Sequence, residues 1–82
     1  MTSRTFKMAI NLEARAAALL VQNANKYQCR LTIRQGDREF NCKSMMGLVA
    51  MAIFEGQEVT ITGIGAAEAE AVENLTKMLA YA

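Results

Sequence analysis

The stretch Leu12–Tyr27, LEARAAALLVQNANKY, decides how the rest of the chain is read. From Ala14 onward it contains no glycine or proline and is rich in alanine, leucine, glutamine and lysine, which is the composition of a helix. Ala17, Leu20, Val21 and Ala24 recur at helical spacing and draw one apolar stripe toward a core. The first turn is different in kind. A helix N-terminus offers N–H groups without intrahelical partners and a partial positive charge. Glu13 brings a carboxylate to that point, and Arg15 adds a forked cation just inside. Two readings are open: a corner built to handle anions, or a carboxylate that complements the dipole beside a solvated arginine.

Bulk composition narrows the function classes. The 82 residues are expected to form one domain, 1–82, and an apolar share of 52% supports a core and argues against disorder. With 9 basic and 8 acidic residues the net charge is +1, so nothing steers the chain toward nucleic acid or an anionic membrane. No apolar run approaches a membrane span, and the start, MTSRTFK, lacks the apolar stretch of a signal peptide. A cytoplasmic location is the expectation. The absence of histidine removes the usual general base near neutral pH, and with it Ser-His and Cys-His nucleophile pairs. Cys29 and Cys42 alone cannot supply a zinc site. No metal, no cofactor and no autonomous catalysis are expected.

Working outward, Thr5–Ile10 alternates, with Phe6, Met8 and Ile10 on one side, and predicts a half-buried strand. The first helix is expected from Ala14 to near Tyr27. Downstream, CRLTIRQGDREFNC predicts a hairpin whose inward residues are Cys29, Leu31, Ile33, Phe40 and Cys42. A two-residue loop at Gln35–Gly36 would set Leu31 opposite Phe40 and Cys29 opposite Cys42. Directly opposed strand positions strain a disulfide and a reducing cytosol disfavours one, so two small buried thiols are expected. Ser44 reads as the N-cap of a short helix, Met45 to about Ala52. Gly56–Gln57 marks a turn, and Glu58–Thr62 a strand with Val59 and Ile61 inward. Gly63 and Gly65 bracket the exit into a last helix, about Ala66–Ala80, with Val72, Leu75 and Leu79 inward and Glu68, Glu70, Glu73 and Lys77 outward. The order βαββαβα predicts an α/β (α+β) open-faced sandwich: a four-stranded antiparallel sheet with three helices on one face.

These elements, the helix start and the Ser-Met-Met-Gly helix together resemble HPr, the histidine-containing phosphocarrier protein of the bacterial phosphoenolpyruvate-dependent sugar phosphotransferase system. The resemblance runs from about Phe6 to Leu79. The family motif T-G-[LI]-H-A-R-P-A is met by Ile10-Asn11-Leu12-Glu13-Ala14-Arg15-Ala16-Ala17. LLVQNANKY (Leu19–Tyr27), KSMMGLVAMA (Lys43–Ala52) and GQEVTITGIGAAEAEA (Gly56–Ala71) are similar to the family's first helix, regulatory serine motif and entry to its last helix.

The match puts Glu13 where the family carries the histidine that enzyme I phosphorylates, and Asn11 and Ala16 where it has glycine and proline. A carboxylate brings negative charge toward the incoming phosphoryl group in a pocket shaped for a ring. The resemblance therefore implies a paralogue that lost the histidine and kept the serine, binding proteins without relaying phosphate. Loss of the glycine and proline implies a less constrained site loop. The alternative is an atypical phosphocarrier accepting phosphate on Glu13 from enzyme I. A third reading has Glu13 permanently imitating the phosphorylated state.

Arg15 corresponds to the family's active-site arginine. It either forms an exposed pair with Glu13, worth at most about 1 kcal/mol, or reaches an acidic surface on a partner. Ser44 corresponds to the serine that a dedicated kinase phosphorylates in many Gram-positive members, after which the product binds a repressor of carbon catabolism; its plain role is an N-cap. Leu19, Met45 and Val49 fall on the family's docking surface, with Met46 expected inside and Met45 outside. Gln22 and Asn25 replace basic family positions, which weakens attraction to acidic partners. The implied partners are proteins of the phosphotransferase system, a catabolite-control repressor and a serine kinase, met by a monomer.

Overall fold

The computed structural model describes residues 1–81. Its elements run β1 (Thr2–Lys7), α1 (Ala14–Ala24), β2 (Arg30–Gln35), β3 (Arg38–Asn41), α2 (Met45–Met51), β4 (Glu58–Ile64) and α3 (Glu68–Ala80). The strands form one antiparallel sheet in the order β1-β4-β2-β3. α3 lies across β1, β4 and β2, α2 leans on β3, and α1 packs against both helices, so one sheet face is covered and the other is open. This is the expected open-faced sandwich. Period-two alternation explains it: Leu31, Ile33, Val59 and Ile61 point into the helices and are buried. Leu20, Leu48, Met51, Leu75 and Leu79 meet them from above, each worth about 1.5–3 kcal/mol of burial. On the open face hydroxyls pair across strands, Ser3 with Thr62 at 2.9 Å and Thr5 with Thr60 at 2.8 Å. No helix among the described residues is long and apolar enough to cross a membrane.

Several boundaries differ from expectation for identifiable reasons. β1 runs Thr2–Lys7 rather than Thr5–Ile10, because the Met8 and Ala9 N–H groups leave the sheet to donate to Gln57 O at 2.9 Å and Leu79 O at 2.7 Å. α1 stops at Ala24, short of Tyr27. Lys26 and Tyr27 N–H donate to Asn23 O and Ala24 O, each at 3.2 Å, which tightens the chain out of the helix. Gly63 is not an exit signal but an interior residue of β4. A Cβ there would lie 2.8 Å from Val72 Cγ2, so the glycine is what lets α3 approach the sheet.

α3 begins at Glu68, after Ala67 in the left-handed region at φ +57°. Glu68 also departs from its outward assignment by curling back. Its Oε2 takes the Met1 amine at 2.8 Å and the Thr2 hydroxyl at 2.7 Å, and its Oε1 takes Gly65 N–H at 3.1 Å. Those donors, the amine foremost, hold the carboxyl down at about 2.

The hairpin register is shifted as well. The turn centres on Gly36–Asp37, with Gly36 supplying φ +60°, and Ile33 rather than Leu31 faces Phe40. The Cys42 N–H donates to Leu31 O at 2.9 Å, so Cys42 sits beside Leu31 and not opposite Cys29. Moving a turn centre by one residue slides the pairing by two, which keeps every side chain on its face. Both cysteines are buried and free. Burial pushes the Cys42 thiol up to about 12.

Candidate functional site

The site assembles around the starts of α1 and α2. Glu13 is the N-cap of α1, extended at φ −91° and ψ 177°, and its carbonyl accepts from Ala17 N–H at 2.8 Å. Its side chain makes no capping bond. Glu13 and Arg15 are both exposed, and neither forms an ion pair or side-chain hydrogen bond with another described residue. The exposed Glu13–Arg15 pair is therefore not made, and each charge stands in water.

The loop before the helix is held firmly despite lacking the motif's glycine and proline. Leu12 N–H donates to Ile53 O at 2.9 Å, and Asn11 Oδ1 accepts from Glu55 N–H at 2.8 Å. Asn11 thus ties the site loop to the turn after α2. That tie escapes a reading that counts only what asparagine replaces.

α2 is capped by Ser44, whose hydroxyl accepts from Gly47 N–H at 3.4 Å and stays exposed. The neighbouring Lys43 does not attend it. Its ammonium is drawn away to Tyr27 O at 2.7 Å and Cys29 O at 3.0 Å, closing the chain end that follows α1. Leu19, Met45 and Val49 are all exposed, and α1 and α2 pack against each other. Met46 corrects the expectation: it is 86% exposed, more than Met45 at 36%. Leu48 and Met51 are the residues α2 turns inward, and at 100° per residue Met46 lies far around the helix from Leu48, whereas Met45 lies a turn away and is partly shaded. Phe54, 56% exposed beside the tied turn, was not singled out by the pattern. On α1, the Asn25 amide donates to Val21 O at 3.0 Å, and Gln22 is exposed.

This arrangement is a surface rather than a pocket. A shallow hollow lies elsewhere, on the open sheet face among Arg30, Thr32, Arg34, Thr60 and Thr62. Around α1 and α2 the described residues offer an exposed apolar strip, the unpaired charges of Glu13 and Arg15 and the exposed hydroxyl of Ser44.

Comparison with known proteins identifies the scaffold. Residues 3–81 match the family model described as the PTS HPr component phosphorylation site. The chain belongs to the HPr family. It is a member without any histidine, and thus a paralogue lacking the family's phosphorylated residue type. The HPr-like protein Crh of Bacillus subtilis (strain 168) is 39% identical over 69 residues, spanning 84% of this chain and 81% of Crh. The phosphocarrier protein HPr of Bacillus anthracis str. Ames superposes with a TM-score of 0.90 at 34% identity, covering 95% of each chain. The crystal structure of Bacillus subtilis Crh, described as a dimer with a swapping domain, superposes with a TM-score of 0.77 at 38% identity, covering 89% of this chain and 82% of that one.

Proposed function

We propose that this chain is a regulatory, protein-binding HPr paralogue of the cytoplasm that does not relay phosphate and is switched at Ser44. Glu13 takes the place of the phospho-accepting histidine, Arg15 offers its guanidinium to acidic groups of a partner, and Leu19, Met45 and Val49 make the apolar contact. The observation that carries this reading is the exposed apolar strip of α1 and α2 next to an arginine that spends its charge on nothing else among the described residues. Methionine at such a surface adapts to more than one partner. Phosphate on Ser44 would meet the free N–H groups and favourable dipole at the start of α2. The partners are proteins of the phosphotransferase system or a catabolite-control repressor, with a serine kinase setting the switch. The relation to Crh, described as the Bacillus subtilis catabolite repression HPr, supports regulation over carriage.

Incubation with phosphoenolpyruvate and bacterial enzyme I is expected to leave the mass unchanged, whereas ATP and a Gram-positive HPr serine kinase add one acid-stable phosphoryl group at Ser44. A phosphoryl group on Glu13, passed on to a sugar-specific acceptor, would overturn this reading in favour of a phosphocarrier. Binding to immobilised enzyme I or repressor is expected to fall about tenfold or more in Arg15→Ala and in Met45→Glu; unchanged binding would leave the strip without a role. The chain is read as a monomer. Sedimentation giving a doubled mass would replace that with a Crh-like dimer.

A further inference from the structure

α2 is too short to hold itself. It has seven residues, and isolated helices of that length do not persist in water. At its start the one side-chain cap among the described residues is the 3.4 Å contact to Ser44 Oγ, at the long end for a hydrogen bond. At its end Ala52 turns left-handed at φ +52°, and the last carbonyls lack intrahelical partners. Arg38 supplies them. From edge strand β3 its Nη1 donates to Met51 O at 3.2 Å and its Nη2 to Ala50 O at 3.0 Å. The same guanidinium lies 5.5 Å from the centroid of the Phe40 ring. A Cβ added to Gly47 would come within 3.1 Å of that ring, so Phe40 lies against the first turn of α2. Two alternate residues of β3 therefore brace the helix, one beneath its start and one at its end. The fork and the positive charge both suit a helix C-terminus, where carbonyls and the negative dipole end point outward.

We infer that Arg38 is the positioning residue of the docking helix, a clamp on its C-terminal end that works together with Ser44 at its N-terminal end. This rests on the reading of α2 as the switched docking element and adds how that element is held. Because both ends act on one short cooperative unit, a stronger cap at Ser44 compensates for a lost clamp at Arg38. Phosphorylation of Ser44 then does more than add charge: it makes the presentation of Met45, Met46 and Val49 less dependent on β3.

Amide hydrogen exchange on the full chain, read residue by residue by NMR, tests the clamp without any partner. In Arg38→Ala the amides of Leu48–Ala52 are expected to exchange about tenfold faster relative to those of Ile33 and Ile61 in β2 and β4. Arg38→Met, which keeps the stem over Phe40 and loses the fork, should behave as Arg38→Ala does, and Arg38→Lys should recover part of the protection. In a Ser44→Asp background the Arg38→Ala effect should shrink at least about threefold. Equal acceleration across β2, β4 and α2, no acceleration in α2, or an undiminished effect beside Asp at residue 44 would each overturn the inference. If Arg38→Ala does not fold, Arg38→Lys and Arg38→Met carry the same comparison. These results stand apart from the docking experiments: a partnerless protein with a working clamp refutes the proposed function alone.

Discussion

α2 and α3 are amphipathic helices on the same side of one sheet, yet they are held in opposite ways. α3 has thirteen residues and buries Ala71, Val72, Leu75, Thr76 and Leu79 across β1, β2 and β4. α2 has seven, buries Leu48 and Met51, and turns Met45, Met46 and Val49 to solvent. α3 is secured along its length by apolar area. α2 is secured at its ends by polar groups: Ser44 in front, Arg38 behind, and the Asn11 tie to the turn that follows. With Met45, Met46 and Val49 left in water, α2 has only Leu48 and Met51 to bury, and the polar contacts at its termini add to that small apolar hold. Elements that bind or move are drawn from the low-stability end of a fold for this reason.

The largest effect expected from this contrast is in α3. Leu75→Ala should cost about 2–5 kcal/mol in urea unfolding, through lost burial and the cavity left behind. Ser44→Ala should cost about 1 kcal/mol, the worth of an N-cap, with the loss seen first in α2 amides. Ala52→Gly should stabilise by about 0.5–1 kcal/mol, since only glycine takes a left-handed φ without a steric penalty. A loss there would mean that the C-terminal end of α2 is not strained.

Glu68→Gln sharpens the comparison at the α3 start through pH. The folded carboxyl titrates at about 2, below the ordinary 4.5. Its contribution is therefore present above pH 4.5 and fades as pH falls from 4.5 toward 2. Wild type and variant should differ at neutral pH and converge in strong acid; a constant offset down to pH 2 would contradict the depressed value. Met46→Ala should change stability least, within about 0.5 kcal/mol, while weakening partner binding. A large unfolding effect from Met46→Ala would show that α2 is a core helix like α3.

Much of this was legible in local patterns, and the failures are instructive. The stripe Ala17, Leu20, Ala24 and the inward set Val59, Ile61, Leu75, Leu79 are periodic, so their burial follows from the chain alone. Ser44 as a cap was also readable, because a hydroxyl before a helical run has few other uses. Met46 lies outside against expectation because two adjacent methionines carry no label for which faces inward; the phase is set by Leu48 and Met51 three residues apart. The hairpin register differs from expectation because Gln35–Gly36 and Gly36–Asp37 both place glycine in a two-residue loop, and only pairing with β4 and β3 discriminates between them.

By itself the sequence determined the elements, their order, the faces buried by the strands and by the two longer helices, and the absence of any histidine to phosphorylate, because periodicity, caps and residue chemistry act within a few positions of the chain. Only the tertiary structure decided that Arg38 clamps the end of α2, that Lys43 serves Tyr27 and Cys29 rather than Ser44, and that Asn11 holds Glu55. Each of these joins polar groups distant in sequence, and such a side chain has several possible backbone partners until packing has brought one of them within bonding distance.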